Sequence, residues 1–180
     1  MSMLKITSGL YKNLTLTQPP ESTTRPISQK VRAAIFNVLV EKITGSSVLD
    51  LYSGSGAMGI EAISRGSKKA VLVDNNPKAL LVIRKNIKQL DTRDDILVVN
   101  KDVDNFVSSC KDKFDIILID PPYNEFTVDM VNRAANLLQY GGIIVVSRSS
   151  RINLGNTAEG LQLLFSKKYG DSQVDYIRKD

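Results

Sequence analysis

Five short apolar runs, separated by segments with helical character, constrain the fold of this 180-residue chain more than any other feature. Strands that are buried on both faces are apolar along their whole length, whereas half-exposed strands alternate apolar with polar residues. The runs therefore predict an α/β fold, a mostly parallel sheet covered by helices on both faces. The five predicted strands are Val48–Leu51, Ala70–Asp74, Ile96–Val99, Phe114–Asp120 and Ile143–Val146.

Helix signals lie before and between these strands. Ser28 is a suitable N-cap for a helix from Gln29 to about Ile43, and a second helix is predicted over residues 57–65. Asn76 and Pro77 are typical of the start of a helix, which the apolar spacing extends to Leu90. A further helix is predicted from about Val128 to Leu138, ended by Gly141 and Gly142.

The two ends of the chain have hairpin patterns. Residues 3–7 and 13–17 alternate apolar with polar side chains around Gly9, and Leu163–Lys168 and Gln173–Arg178 flank a turn. We expect residues 1–20 to form an N-terminal hairpin extension. Residues 21–180 are then expected to form one compact domain.

Composition limits the chemistry that this chain can perform. There is no histidine, which excludes histidine bases, histidine metal ligands and Ser-His or Cys-His nucleophile pairs, so no metal is predicted. The net charge of +5 favours an anionic partner. With one cysteine, no membrane-length apolar run and no apolar signal-peptide core at the start, the sequence predicts a cytoplasmic protein without membrane contact, and we expect a monomer.

The most informative site motif is Asp120-Pro121-Pro122-Tyr123, at the end of the fourth predicted strand. Proline has no N–H and cannot continue a strand, so the chain must turn outward, with the Asp120 carboxylate and neighbouring carbonyl groups available as acceptors. Tyr123 adds a flat aromatic face. Acceptors beside a stacking surface suit a nucleobase that carries an exocyclic amino group.

A glycine-rich loop follows the first strand, over Asp50–Gly59. It would allow a ligand to approach the start of a helix, and Asp74, twenty positions after Gly54, could bind the hydroxyl groups of a ribose. Asp102, after the third strand, could accept a hydrogen bond from an adenine amino group. The predicted cofactor-binding residues are Asp50, Tyr52, Ser53, Gly54, Gly56, Gly59, Asp74, Asn75, Asp102, Val103 and Asp120.

The same pattern matches the dinucleotide fingerprint of NAD-dependent oxidoreductases. Two features favour S-adenosylmethionine instead. Asp50 places a negative charge near the first glycine, where it would repel a pyrophosphate but suit a sulfonium and an α-amino group. The Asp-Pro-Pro-Tyr motif also has no role in hydride transfer.

The chain resembles a known family over nearly its whole length. Asp50–Gly59 with Ile60–Gly66, the Arg25-Pro26…Lys30-Val31-Arg32…Phe36-Asn37 segment, Asp120–Tyr123 and Tyr169-Gly170-Asp171 are similar to the bacterial RsmD-type methyltransferases. The resemblance implies a Rossmann-like, class I methyltransferase fold, a seven-stranded sheet with an antiparallel last strand. It implies methylation of the N2 amine of a guanine in small-subunit (16S) ribosomal RNA, with S-adenosylmethionine as cofactor.

Under this resemblance, Asp120, Pro121, Pro122 and Tyr123 are the predicted catalytic residues, and the partner is ribosomal RNA in an assembled or assembling 30S particle. The predicted RNA contacts are Lys5, Lys12, Arg25, Lys30 and Arg32. Ile27 and Ser147 depart from the family, which usually has threonine and an acid there. Methylation of an adenine N6 or cytosine N4 amine, in RNA or DNA, and a catalytically silent RNA-binding module remain alternatives.

Overall fold

A computed structural model describes residues 4–20, 27–122 and 124–180 of the chain. Its N-terminal hairpin pairs β1 (Leu4–Lys5) with β2 (Thr15–Leu16) in antiparallel fashion, as predicted, although the paired residues are fewer. The remaining strands are β3 (Ser47–Leu51), β4 (Lys69–Asp74), β5 (Ile96–Asn100), β6 (Phe114–Ile119), β7 (Leu138–Ser149), β8 (Leu161–Tyr169) and β9 (Ser172–Lys179). The helices are α1 (Gln29–Val38), α2 (Val40–Ile43), α3 (Ala57–Ser64), α4 (Pro77–Ile87), α5 (Val103–Ser109) and α6 (Val128–Ala134).

Strands β3 to β9 form one sheet in the order β5-β4-β3-β6-β7-β9-β8. Strands β3 to β7 pair in parallel with their neighbours in this order, whereas β9 pairs antiparallel with both β7 and β8. The predicted seven-stranded, mostly parallel sheet with an antiparallel last strand is therefore confirmed, as is the C-terminal hairpin.

Helices cover both faces of the sheet, which explains the continuous apolar strands. On one face, Leu49 and Ile117 pack with Phe106 of α5 and Met130 of α6. On the other face, α1 and α2 pack on the middle of the sheet, and α3 and α4 pack on β4 together with the N-terminal hairpin. Because each central strand lies between two layers, almost every side chain along it is buried.

Helix boundaries differ from the predictions at two places on this second face. The helix predicted from Gln29 to about Ile43 is capped by Ser28 as expected, but it is interrupted at Leu39. Leu39 has a ψ of 3°, far from the helical value, and the interruption separates α1 from the short α2 while both Leu39 and Ile43 remain buried. Helix α4 begins at Pro77 with Asn76 as its cap, but ends at Ile87 instead of Leu90.

The prediction that Gly141 and Gly142 end a helix was wrong. Helix α6 ends at Ala134, a 3₁₀ turn spans Ala135–Leu137, and both glycines lie inside β7. The pairing of β6 with β7 shifts register at this place, and Gly141 has a φ of 71°. A Cβ atom on Gly142 would lie 2.9 Å from the Asp115 carbonyl oxygen, so the glycines permit a bulge in close contact with β6.

Two kinds of site are absent from the described parts of the chain. Over residues 4–20, 27–122 and 124–180, no helix is both long enough and apolar enough to cross a membrane. The same residues include no group of three or more His, Cys, Asp or Glu side chains that could hold a metal ion.

Candidate active site

The predicted site residues converge because four parallel strands end at one edge of the sheet. Asp50 is the fourth residue of β3, Asp74 ends β4, Asp102 follows β5, and Asp120 follows β6. The backbone N–H of Asp120 lies 3.5 Å from the Leu51 carbonyl oxygen, which places the end of β6 beside the end of β3. The crevice outside the carboxyl ends of parallel strands is where ligands bind in open α/β sheets.

The glycine loop needs two glycines for its backbone conformation and one for packing. Gly54 and Gly56 have φ values of 57° and 77°, in the left-handed region, and Gly56 is the N-cap of α3. A Cβ atom on Gly59 would lie 2.4 Å from the Leu72 Cδ1 atom, so this glycine lets α3 approach β4 closely. Ser53 is buried and its hydroxyl donates to the Asp50 carbonyl oxygen at 2.7 Å. The loop is thereby held against the end of β3.

Asp50 lies beneath this loop and is almost fully buried. Its carboxylate accepts a hydrogen bond from the Gly59 backbone N–H at 2.9 Å. The pKa of Asp50 is raised to about 8. Burial is the largest cause, the nearby carboxylates of Asp120 and Asp74 contribute to the rise, and the hydrogen bond from the Gly59 N–H opposes it. An acid in this environment favours a cationic ligand group nearby.

The acids after β4 and β5 have different local partners. Asp74 accepts hydrogen bonds from the backbone N–H groups of Gly54 and Asn76, both at 2.8 Å, so it links the glycine loop to the start of α4. Asp102 is exposed and caps α5 by accepting from the Asn105 N–H at 3.2 Å. Each acid therefore has a structural role, and each retains acceptor capacity toward the crevice.

The described residues form two main cavities at this edge. The larger, of about 640 Å³, is lined by Pro19, Pro20, Tyr52, Gly54, Asp74, Asn75, Asn76, Pro77, Lys78, Ala79, Asp102, Val103, Asp120, Pro122 and Glu125. The smaller, of about 100 Å³, is lined by Leu4, Gln18, Pro19, Ile27, Arg32, Asp50, Tyr52, Ser53, Gly54, Ser55, Ala57, Met58 and Asp120. Of the cofactor residues predicted from the sequence, Gly56 and Gly59 line neither cavity, and the others line at least one. Gly56 acts through its backbone conformation, and Gly59 through its N–H and its packing.

Asp120 lies where the two cavities meet. Only part of the residue is exposed, and the surrounding protein atoms raise the pKa of its carboxyl group to about 7, while a hydrogen bond with the Ser147 side chain lowers it. Pro121 is buried and Pro122 lines the larger cavity. Tyr123, the fourth predicted catalytic residue, lies outside the described residues.

Tyr52 has a strained backbone conformation within the site. Its φ is 62°, a value that residues other than glycine rarely adopt, and the residue lines both cavities. Its hydroxyl donates to the Met130 sulfur atom at 3.3 Å, and burial raises its pKa to about 12. The contact with α6 orients the ring beside the glycine loop.

The predicted RNA contacts separate into exposed and buried side chains. Lys12 and Lys30 are exposed and Lys5 is half-buried, whereas Arg25 lies outside the described residues. Arg32 is 1% exposed, and its guanidinium contacts Glu61 at 3.2 Å and donates to the Lys5 carbonyl oxygen. Its prediction as a phosphate contact is not supported by this placement, because Glu61 already neutralises the guanidinium inside the protein.

The structure adds residues that the sequence patterns did not assign to the site. Gln18, Pro19 and Pro20 follow the hairpin and line the cavities. Ser147 contacts Asp120 from β7. In the sequence, Ser147 follows a predicted strand and Pro19 lies at the end of the predicted hairpin extension. Neither position indicates that its neighbour in space is the Asp120 carboxylate or the glycine loop.

Comparisons with known proteins agree with this architecture. Residues 4–178 match the family described as conserved hypothetical protein 95. The chain is 32% identical over 139 residues to a Buchnera aphidicola protein named ribosomal RNA small subunit methyltransferase D, covering 77% of this chain and 71% of the relative.

Two solved structures extend the similarity to almost the whole fold. A conserved hypothetical protein of Streptococcus pyogenes is 33% identical with a TM-score of 0.78, covering 83% of this chain and 96% of the other. A hypothetical protein of Thermus thermophilus is 25% identical with a TM-score of 0.82, covering 97% of this chain and 98% of the other.

Proposed function

From the premise that this chain belongs to the family described as conserved hypothetical protein 95, the RsmD-type rRNA methyltransferases, we propose that it methylates a guanine N2 amine of small-subunit ribosomal RNA with S-adenosylmethionine. The observation that carries the proposal is the position of Asp120. Its carboxylate lies where a cofactor-sized cavity meets a smaller one, directly before the two prolines. One acceptor can therefore face both a methyl donor and an amine.

The charge of the larger cavity supports S-adenosylmethionine over NAD. Among its lining residues, the acids Asp74, Asp102, Asp120 and Glu125 outnumber the single lysine, Lys78. A pyrophosphate would be repelled by these carboxylates, whereas a sulfonium cation with an α-amino group is attracted. S-adenosylmethionine, when bound, supplies an electrophilic methyl group.

The expected cofactor contacts follow from the strand ends. We expect Asp74 to accept from ribose hydroxyl groups, and Asp102 with the adjacent backbone of Val103 to bind the adenine. The Gly54–Gly59 loop and Asp50 are then expected to bind the amino acid part. These residues lie on the ends of strands or at the start of a helix, which fixes their positions without a large closing motion.

Catalysis then depends on the acceptors after β6. An aromatic amine is a weak nucleophile because its lone pair is delocalised into the ring. The Asp120 carboxylate and the Pro121 carbonyl accept hydrogen bonds from the amine, which favours a pyramidal nitrogen with a localised lone pair. We expect Tyr123 to stack on the extruded base. No histidine base is needed, since the methylated product loses its extra proton readily.

The protonation state of Asp120 decides whether this acceptor is available. With its pKa raised to about 7, the carboxyl group titrates close to neutral pH, so both the protonated and the ionised forms are populated there. The Ser147 hydrogen bond favours the ionised form. The family usually has an acid at position 147, and a second carboxylate there would oppose ionisation of Asp120. The serine at this position therefore suits an acceptor role for Asp120.

We expect RNA recognition to depend on the folded shape of the substrate as well as on contacts from this chain. Lys12 and Lys30 are exposed cations suited to phosphate groups, and Lys5 is half-buried. The described residues form one seven-stranded sheet and a two-stranded hairpin, which offer little surface for reading a long sequence. We therefore expect the 30S particle, assembled or assembling in the cytoplasm, to present the base.

The test is methyl transfer from labelled S-adenosylmethionine to small ribosomal subunits that lack the modification and to their deproteinised rRNA, followed by digestion to nucleosides. We expect label in N2-methylguanosine, strongest on the particle. Label in N6-methyladenosine or N4-methylcytidine would retain the reaction but contradict the substrate. Cofactor binding without transfer to either acceptor would contradict methylation of small-subunit rRNA and favour the silent RNA-binding module.

A further inference from the structure

Asn86 is a fully buried amide on α4 whose hydrogen bonds go to two separate backbone segments. Its Oδ1 atom accepts from the Thr17 N–H at 2.8 Å, and its Nδ2 atom donates to the carbonyl oxygens of Thr17 and Ser55, both at 2.9 Å. One backbone donor and two carbonyl acceptors fix the orientation of the amide, because only a carbonyl oxygen accepts and only an NH₂ group donates twice. The side chain therefore joins the residue after β2 to the glycine loop.

Both joined segments belong to the cofactor cavities. Thr17 is followed by Gln18, Pro19 and Pro20, and Pro19 lines both the larger and the smaller cavity. Ser55 lies between the two glycines with left-handed φ and lines the smaller cavity. Asn86 itself lines neither cavity, so it acts through these segments rather than by contact with a ligand.

A second buried group holds the hairpin at the residues that follow β1. The Glu61 carboxylate, on α3, accepts from the backbone N–H groups of Thr7 and Ser8 at 2.9 and 3.1 Å. Apolar side chains of the hairpin, including Leu4, Ile6 and Leu16, pack on α3 and α4. Since the hairpin body is already fixed at Thr7 and Ser8, the Asn86 contact determines where its exit segment lies.

We propose that Asn86 is a positioning residue for cofactor binding: it holds segment 17–20 against the glycine loop and so sets the width of the cavity. This inference rests on the proposed function, because the ligand whose affinity it controls is S-adenosylmethionine. Its contribution is to binding rather than to the reacting atoms. The affinity for the cofactor should therefore depend on Asn86 much more than the turnover rate at saturation does.

Two variants test the contact in different ways. Asn86→Ala removes all three hydrogen bonds, and Asn86→Asp keeps the acceptor for Thr17 but sets a carboxylate against two carbonyl oxygens. We expect the Kd for S-adenosylmethionine, measured by calorimetry, to rise about tenfold in Asn86→Ala and by more in Asn86→Asp. The kcat at saturating cofactor and RNA should stay within about twofold of the wild-type value.

Asp115→Ala is a matched structural control. Asp115 also joins two segments through backbone and side-chain hydrogen bonds, to Ser47 at 2.7 Å, but at the start of β3 and therefore at the opposite edge of the sheet. We expect this variant to lower the melting temperature and to leave the Kd for the cofactor unchanged. A wild-type Kd in both Asn86 variants would overturn the inference, as would an equal rise in the control.

If the Asn86 variants do not fold, hydrogen exchange measured on the wild-type protein still tests the inference. Addition of S-adenosylhomocysteine should slow exchange of the Thr17 amide together with the amides of the glycine loop. Unchanged exchange at Thr17 in a protein that binds the ligand would overturn the role of Asn86. A wild-type protein that binds neither S-adenosylmethionine nor S-adenosylhomocysteine would instead overturn the proposed function, so the two failures are distinguishable.

Discussion

At the scale of single residues, the site concentrates acids that burial keeps from ionising freely. The pKa of Asp50 is raised to about 8 and that of Asp120 to about 7, and burial is the main cause for both. Such groups cost stability, since the unfolded chain ionises them at their ordinary pKa of 3.8 and the folded chain resists. Both acids line the smaller cavity, where, under the proposed function, a cationic cofactor and an amine need acceptors.

Replacement of Asp50 should show how much stability the buried acid costs the folded protein. Because the folded pKa lies above the unfolded one, the stability that the proton provides is complete below about pH 4 and is lost as the pH rises through about 8. Asn cannot ionise and can still accept from the Gly59 N–H. Asp50→Asn should therefore raise the free energy of unfolding at pH 8 by up to about 5 kcal/mol, or roughly 10–20 °C in Tm, with little gain at pH 4.

Thermal unfolding of Asp50→Asn at a series of pH values checks this, with Asp112→Asn as the control, because Asp112 is an exposed carboxylate. The same Asp50 variant should bind S-adenosylmethionine more weakly. A melting temperature that falls at pH 8 relative to the wild type would show that the Asp50 carboxylate stabilises the fold instead.

At the scale of elements, local signals predicted most of the secondary structure. Ser28 and Asn76 cap their helices as expected, and the apolar runs became the central strands. Gly141 and Gly142 were wrongly predicted to end a helix, because glycine is favoured both at helix ends and at β-bulges. Only the pairing of β7 with β6 distinguishes the two structures. Helix α5, capped by Asp102, was not predicted, although an aspartate after a strand is a helix-cap signal as well as a possible ligand contact.

The position of a site residue could be predicted where the end of a strand determines it. It could not be predicted where a partner distant in the sequence determines it. The strand-end acids converge because parallel strands share an edge. By contrast, Arg32 was predicted to contact RNA, and its burial depends on Glu61, 29 residues away. Asn86 gave one signal: it lies on the apolar face of α4, three residues after Ile83, where a polar side chain needs partners.

The hairpin should depend on Glu61 more than on any exposed acid. Its carboxylate contacts the guanidinium groups of Arg32 and Arg65 and the backbone of Thr7 and Ser8, with no exposure to solvent. Glu61→Gln would replace one acceptor oxygen by an NH₂ group among donors and leave two cations uncompensated. We expect a loss of about 3 kcal/mol, or roughly 6–12 °C in Tm.

Denaturant unfolding of Glu61→Gln gives this value, and Glu41→Gln on the exposed surface of α2 serves as the control. A loss of less than about 0.5 kcal/mol in Glu61→Gln would show that apolar packing alone holds the hairpin.

At the scale of the whole molecule, the net charge of +5 coexists with an acidic crevice. Apart from Lys78 in the larger cavity and Arg32 in the smaller one, the described lysines and arginines lie outside both cavities, as an enzyme needs when its cofactor is cationic and its substrate is a polyanion. Lys30 is exposed in the first turn of α1, and Ile27, three residues before it, lines the smaller cavity. Lys68 is exposed before β4, at the opposite edge.

Salt dependence distinguishes these two lysines. If Lys30 neutralises a phosphate group, Lys30→Ala should weaken RNA binding a few-fold and reduce the slope of log K against log salt by about 0.7–0.9. Lys68→Ala should change neither value. Equal effects in both variants would indicate a diffuse electrostatic attraction without a defined contact at α1.

The central claim is that methyl transfer takes place beside Asp120, at the carboxyl ends of the parallel strands. It is tested most directly by comparing Asp120→Asn with the wild-type protein in two assays. We predict that the variant binds S-adenosylmethionine within a few-fold of the wild-type Kd, while kcat for transfer to small ribosomal subunits falls at least about 100-fold, because a carboxylate acceptor facing the amine is lost. Transfer that stays within about tenfold of the wild-type rate would contradict the claim and place the reaction elsewhere.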